Sequence, residues 1–338
     1  MKKEATIYDI AKELKLSPST ISRALNGNPI INVKTRKRVA DCAERMGYRS
    51  NTFASNLRTK RTYTIGVIVP RLDSNFMSSS LAGMEEVATK HGYNMIISQS
   101  HESVIKEEQN TTTMYNKRVD GLIASLTSGE SSLAYFKRFR DKNVPVVFFD
   151  RVPNETNSVC FLIDNYKHAK DATQHLIDQG CKNLLHITVE SKSNVYADRT
   201  RGYLDTLKDC DHCKGEVLYL DFLSLENGKL IADTIIKMKP MPDGLFVAND
   251  MTAVGCMQVL QENGVKIPSQ MAIVGFNDDP VSTIVSPQLS TISYPGCEAG
   301  KLAAKSLIDH LNGEQNMELT NKVILNAHLI IRASSSRI

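Results

Sequence analysis

Residues 6–27 read TIYDIAKELKLSPSTISRALNG. Ile7, Ile10, Ala11 and Leu14 fall at i, i+3, i+4 and i+7, the spacing of one apolar helix face. Thr6 and Asp9 form the Ser/Thr-x-x-Asp/Glu signature of a helix start. Lys15-Leu16 interrupts the pattern. Ser17 then suits an N-cap and Pro18 a first helical position. Ile21, Ala24 and Leu25 supply a second apolar face, and Asn26-Gly27 ends it. Working outward, Asn32 is placed to cap a third helix. It carries Val39, Ala43 and Met46 inward and Lys34, Arg36, Lys37 and Arg38 outward, and it stops at Gly47. Three short helices with the first two tightly joined make a helix-turn-helix, whose second helix enters the DNA major groove. Ser19, Thr20, Ser22 and Arg23 lie on its exposed face. Arginine pairs with guanine O6 and N7, while hydroxyls and flanking Lys/Arg suit phosphates.

Charge separates this head from the rest. The chain has 338 residues and a net charge of +4. Residues 1–62 hold 14 Lys+Arg against 5 Asp+Glu, and the remainder holds 27 against 32. A basic head on a mildly acidic body predicts a polyanion partner for the head alone. A solvated basic tail is the alternative on charge, and the apolar periodicity argues against it. A three-helix protein-interaction module is the alternative on pattern, and the basic excess argues against that.

Beyond Tyr63 the pattern changes to β-branched apolar runs. They are TIGVIVP (64–70), YNMIIS (93–98), VDGLIA (119–124), VPVVFFD (144–150), NLLHITV (183–189), DGLFVAND (243–250) and MAIVGFND (271–278). Amphipathic stretches separate most of them. Unbroken apolar strands alternating with helices predict parallel sheets covered on both faces. There are enough units for two doubly wound lobes, so the fold class is α/β with a helical head. Ligands in such sheets sit beyond the carboxyl ends of the strands. The polar residues there are Asp73, Asn75 and Phe76; Asp150 and Arg151; Asn249 and Asp250; and Asn277, Asp278 and Asp279. Arg199 lies near a helix start. Asp, Asn and Arg beside an aromatic ring suit a neutral polyhydroxyl ligand, because each hydroxyl both donates and accepts. Taken singly, each is also an ordinary turn or N-cap residue.

The head resembles the LacI/GalR family of bacterial transcription regulators, whose pattern is T-[IL]-x-D-[VI]-A-x-x-A-G-V-S-x-x-T-V-S-R-x-[LI]-N. Two positions depart. Lys15 stands at the usual turn glycine, where a side chain either strains the turn slightly or takes positive φ at a cost. Leu14 stands at the usual alanine. The resemblance implies DNA contact by Thr6, Tyr8, Ser17, Pro18, Ser19, Thr20, Ser22, Arg23 and Asn26. It also implies a hinge helix within 51–62, with Asn51, Ala54 and Leu57 at the DNA and Leu57 as a minor-groove wedge. Ser50 and Ser55 replace the hinge's usual Pro and Arg. Further matches at RLDSNFMSSSLAGMEEVA, DRVP, RTRGY, ANDMTAVG, VGFNDDPVS and STISYPGCEAGKLAAKSLI extend it through the body. They imply a periplasmic-binding-protein-like body with Asn75, Phe76, Asp150, Arg151, Arg199, Asn249, Asp250 and Asn277 around an effector. The family's usual Asp at the last position is an amide here. The implied division is a head at 1–50, a hinge at 51–62 and a body at 63–338. The body's N-lobe is about 63–164 and 294–325, and its C-lobe about 165–293 and 326–338. The implied function is a repressor that binds a pseudo-palindromic operator as a homodimer under control of a sugar or sugar derivative. No heptad extension follows LIIRASSSRI, so a dimer is expected over a tetramer.

Other signals are weaker. No apolar run approaches the ~18 residues of a membrane span, and MKKEATIYDIAKELKLS lacks the apolar core of a secretory signal. A cytoplasmic protein without a membrane partner is expected. The cysteines, at 42, 160, 181, 210, 213, 256 and 297, are odd in number and scattered. Reduced thiols and no disulfide framework are expected. Cys210-Asp-His-Cys213 invites a zinc reading, but no second Cys/His pair completes a four-ligand site, so exposed loop thiols and no metal are expected. Ser103-Val-Ile-Lys106 lacks its companion β-lactamase motifs. G-x-S-x-G, H-E-x-x-H, Walker and G-x-G-x-x-G motifs are absent, so no catalytic residue and no cofactor are expected. Two other functions remain open. A two-lobed sugar-binding transport protein would share the body, but it needs neither a basic head nor a missing signal. A doubly wound enzyme would turn over a sugar.

Overall fold

The computed structural model describes residues 5–48, 61–127 and 133–337. They fall into two units, one ending at Thr62 and one beginning at Tyr63. The first contains α1 (Ile7–Leu14), α2 (Pro18–Leu25) and α3 (Val33–Arg45). Every helix start is capped by its own side chain. Asp9 N–H donates to Thr6 Oγ1 while Thr6 N–H donates to Asp9 Oδ2 at 2.8 Å. Ser17 Oγ accepts from Thr20 N–H at 3.1 Å, and Asn32 Oδ1 accepts from Lys34 N–H at 2.8 Å. Each cap satisfies a backbone donor that the helix leaves unpaired. Lys15 closes α1 at φ 53°, the left-handed geometry that glycine usually supplies. Ile10, Ile21 and Val39, one from each helix, are fully buried together with Ala11, Ala24, Cys42 and Ala43.

The second unit holds two six-stranded sheets. β1 (Thr64–Val69), β2 (Asn94–Gln99), β3 (Gly121–Ala124), β4 (Val146–Phe149), β5 (Cys160–Ile163) and β11 (Lys322–Leu325) pair in parallel, in the order β11-β5-β4-β3-β1-β2. β6 (Asn183–Val189), β7 (Lys214–Leu220), β8 (Gly244–Val247), β9 (Ala272–Asn277), β10 (Ser290–Ser293) and β12 (Leu329–Ile330) follow the order β12-β10-β9-β8-β6-β7, with β12 antiparallel to β10. The helices are α4 (Asn75–Lys90), α5 (Val104–Asn116), α6 (Lys137–Arg140), α7 (Asn165–Asp178), α8 (Asn194–Lys208), α9 (Leu225–Lys237), α10 (Asp250–Glu262), α11 (Val281–Ile284) and α12 (Gly296–Asn312). The fold class is α/β, two doubly wound sheets with a helix-turn-helix head. The chain passes between the sheets after β5, after β10 and after β11.

The seven apolar runs all contain strands. Five further strands, β5, β7, β10, β11 and β12, have no such run. Four of them have four residues or fewer, too short for a period to register. β7 is an edge strand exposed along much of its length, so it keeps Lys214 and Glu216. α12 returns to pack on α4, and two glycines permit the close approach. A Cβ at Gly83 would collide with the Cys297 carbonyl, and one at Gly300 with the Ser80 carbonyl.

One expectation is corrected. Cys210 and Cys213 are joined in a disulfide rather than being free thiols. The turn between α8 and β7, closed by Cys213 N–H donating to Cys210 O at 3.0 Å, brings their Cα atoms to 5.4 Å. The other five cysteines are unpaired. Among the described residues, no helix is long and apolar enough to cross a membrane.

Candidate functional site

The head presents a compact polar face. Pro18, Ser19, Arg23 and Asn26 are exposed, and Thr20 and Ser22 half-buried. Ser17 Oγ lies 2.9 Å from Ser19 Oγ and 2.8 Å from Thr20 Oγ1, so three hydroxyls gather at the N-terminus of α2. The hydroxyls and the positive end of the helix there favour a phosphate. Tyr8 is exposed on α1, and Thr6 is engaged in its capping box. Asn51, Ala54 and Leu57 lie outside the described residues.

In the second unit a cleft of about 380 Å³ opens beyond the carboxyl ends of both sheets. Asn75, Phe76, Asp150, Arg151, Arg199, Asn249 and Asn277 all line it. Asp250 does not. It is fully buried beneath the cleft, where its carboxylate accepts from Asp279 N–H and Thr291 Oγ1, both at 2.7 Å. It lies one residue into α10, whose first turn directs it behind the strand ends.

Arg199 is held rigidly. Its Nε donates to Asn165 Oδ1 at 2.9 Å and its Nη1 to the Ala248 carbonyl at 2.7 Å. The guanidinium lies 3.4 Å from the centroid of the Phe276 ring. Burial lowers its pKa to about 10, against the raising influence of Tyr196 and Asp150, so it keeps its charge at neutral pH. Arg151 Nη1 donates to both Glu102 oxygens, at 2.7 and 2.8 Å, and its Nη2 donates to Tyr196 OH at 3.2 Å. That last bond links the end of β4 to α8, across the cleft. Asn194 adds a second bridge, accepting from Val152 N–H at 2.9 Å and donating to the Asp150 carbonyl at 3.0 Å. The Phe76 and Tyr294 ring centroids lie 4.1 Å apart, their planes tilted by 31°.

The carboxyls respond to burial. It raises Asp150 despite the pull of Arg151 and Arg199. It raises Asp279 to about 6, against hydrogen bonds from the Asn277 and Asn75 side chains, and Asp250 to about 7. Asp150 and Asn277 also sit at positive φ, 59° and 115°, so both strands break sharply where they meet the cleft. Six carboxylates (Asp73, Glu102, Asp150, Glu190, Asp221 and Asp279) face three guanidiniums (Arg71, Arg151 and Arg199) around the space.

Sequence reasoning overlooked Glu102, Asn194, Tyr196 and Phe222. Tyr196 had a signal, because it precedes Arg199 by three residues and shares its helix face. Glu102 had none. It follows an exposed edge strand, and only the fold places it against Arg151.

Two family models match. Residues 6–51 match the bacterial regulatory proteins of the lacI family, and residues 173–335 match the periplasmic binding protein-like domain. Catabolite control protein A of Priestia megaterium is 33% identical over 318 residues, covering 91% of this chain and 93% of that protein. A periplasmic binding protein/LacI transcriptional regulator from Alkaliphilus metalliredigens QYMF, solved with D-xylulofuranose, is 26% identical with a TM-score of 0.69, covering 81% of this chain and 99% of that one. The lac repressor dimer bound to operator and the anti-inducer ONPF is 22% identical and shares the fold, with a TM-score of 0.87 over 98% of this chain and 99% of that one. With a capped helix-turn-helix ahead of two doubly wound sheets, and a third of its residues shared with such a regulator, this chain belongs to the LacI family of bacterial transcription regulators.

Proposed function

We propose that the protein is a repressor, and that a neutral sugar or sugar derivative in the cleft of its body controls its grip on operator DNA. The chain works as a cytoplasmic homodimer, each head reading half of a pseudo-palindrome. Residues 1–50 are the head, 51–62 the hinge, and 63–338 a body of N-lobe (63–164, 294–325) and C-lobe (165–293, 326–338). It acts by binding and catalyses no reaction. Ser19 and Arg23 read bases, because α2 exposes both side chains, Ser19 in its first turn and Arg23 in its last. Ser17 and Thr20 hold phosphate, and Leu57 is the minor-groove wedge.

One observation carries the effector reading. The polar side chains at the strand ends of both lobes converge on one space, with Arg199 fixed at its floor by two hydrogen bonds and a stacked ring. Arg199, Asn249 and Asn277 offer donors and acceptors to ligand hydroxyls, and Phe76 offers a face to the ring carbons. The excess of carboxylates over guanidiniums opposes a phosphorylated sugar. Because bonds such as Arg151–Tyr196 cross the cleft, a ligand there acts on the lobe arrangement. DNA and effector affinities are then linked reciprocally.

The test is selection of fragments from the source genome by purified protein, followed by calorimetry with neutral sugars and sugar phosphates. A near-palindromic site of about two helical turns, and a neutral sugar that alters its affinity, are expected. Recovery of no consensus at low salt, with or without added metabolite extract, overturns the DNA reading. Binding confined to phosphorylated sugars overturns the effector reading.

A further inference from the structure

The turn between α8 and β7 carries chemistry the regulator reading does not use. Cys210, His212 and Cys213 bring their ligand atoms within 4.8 Å of one another. The His212 ring lies against Cys210 Sγ, with Nε2 at 3.6 Å and Nδ1 at 3.7 Å. His212 is exposed and Cys213 half-buried, so the group is open to solvent on one side and backed by the body on the other. The backing includes the Cys181 carbonyl, 4.0 Å from Cys213 Sγ.

The disulfide adds little as a staple. It spans a sequence separation of three, across a turn already closed by Cys213 N–H on Cys210 O. Loop-closure gains are smallest for the shortest loops. A bond with so little structural work, in a turn whose Asp211 and His212 are exposed, is suited to being opened. Once opened, it leaves two thiols and an imidazole in one tetrapeptide, with the C-x2-C spacing of zinc-binding turns. Two sulfurs and a ring nitrogen select a borderline-soft cation over calcium or magnesium.

We propose that Cys210, His212 and Cys213 form a thiol-gated site for a divalent cation of the zinc class, closed as the disulfide and open as the dithiol. The gate operates by exchange with a small dithiol. Two electrons and two protons pass from the dithiol to the protein disulfide, and the small molecule leaves oxidised and cyclic. Zinc then displaces one proton from each thiol and takes the neutral imidazole as its third ligand, leaving the fourth position to water. The site is independent of the cleft. The cleft opens at the carboxyl ends of the strands, whereas this turn precedes Lys214, the first residue of β7.

The experiment uses the full chain, oxidised or reduced with excess dithiol and then freed of it without air. Zinc(II) alone is titrated against a chromogenic chelator, with proton release read in weak buffer. The reduced protein is expected to bind one more equivalent per chain than the oxidised protein, with two protons released and two thiols protected from alkylation. Cys213→Ser removes that equivalent, and His212→Asn weakens it on the order of ten-fold or more, because losing even an outer-shell partner of a metal ligand costs about that much. Cys181→Ser leaves it in place, because the Cys181 thiol is buried, pushed up to about 11, and donates to the Asp243 carbonyl at 3.2 Å. Operator binding by each variant confirms that the chain is folded. Equal zinc uptake by oxidised and reduced protein, uptake that survives Cys213→Ser, or no uptake by the reduced protein overturns the proposal.

Discussion

Between Ser17 and Asn26 the head places its candidate reading residues on one eight-residue helix and its two caps. The cleft instead draws on residues from Pro70 to Asp279, on two sheets. In the head, a side chain's direction follows from its position within α2 and from a cap three residues away. In the cleft, the same question is answered by pairings between strands far apart in the chain, such as Ile65 with Gly121 and Leu184 with Gly244. A local surface is tuned by local substitutions and leaves the rest of the chain alone. A non-local surface shares its residues with the packing that assembles it.

The largest effects are expected where the body's packing is tightest. Gly300→Val inserts a side chain into the Ser80 carbonyl on α4 and should cost about 3 kcal/mol, measured by denaturant unfolding. An unchanged midpoint would show that the α4–α12 seam yields. Arg199→Ala should abolish the effector response, spare operator binding and cost about 2–3 kcal/mol, because it removes two charged hydrogen bonds from a buried site. Arg199→Lys should not restore the response, since an ammonium lacks the planar fork and the stacked face. Calorimetry and operator titration together check both variants.

The same coupling of site and packing predicts a pH dependence. Asp279 and Asp250 hold their protons more tightly folded than unfolded, with pKa values raised to about 6 and about 7. Their contribution to stability is complete below the ordinary carboxylate pKa of about 4 and is lost as pH rises through those values. Unfolding between pH 5 and 8 should show a decline on the order of 2 kcal/mol, which Asp279→Asn reduces. A flat profile would mean that water reaches both groups.

In the head the effects are smaller and confined. Arg23→Ala should relax specificity at one base pair by about 1–3 kcal/mol with no loss of fold, read by competition between operator variants. Lys15→Gly relieves the left-handed turn and should stabilise the head by about 0.5–1 kcal/mol, read by hydrogen exchange at Ile10 and Ile21. A loss of protection there would mean that Lys15 makes a compensating contact.

Much of the architecture was legible because local rules act alone. Thr6, Ser17 and Asn32 cap the helices they were expected to cap, and the seven β-branched runs lie in strands. The strands that escaped notice are short or lie at sheet edges, where pairing rather than composition makes the strand. In the cleft, Asn75, Phe76, Asp150, Arg151, Asn249 and Asn277 could be singled out because each sits where a strand ends or a helix begins, whereas Arg199, expected in a helix start, lies in the second turn of α8, which begins at Asn194. Asp250 satisfied the same rule and is buried beneath the floor. Position along the chain does not reveal which of two adjacent side chains faces the ligand.

By itself the sequence determined what depends on neighbours a few residues apart. That covers the helix-turn-helix with its caps, the basic head on an acidic body, the alternation of strand and helix, and the family. Only the tertiary structure decided which strands pair, how Arg151 meets Glu102 and Tyr196, how six carboxyls and three guanidiniums come to surround one space, and that Cys210 and Cys213 are bonded. The disulfide closes within one turn, where spacing alone leaves bonded and free thiols equally open; the other arrangements depend on contacts between distant segments, whose closure is decided by the packing of the whole chain and not by any one stretch of it.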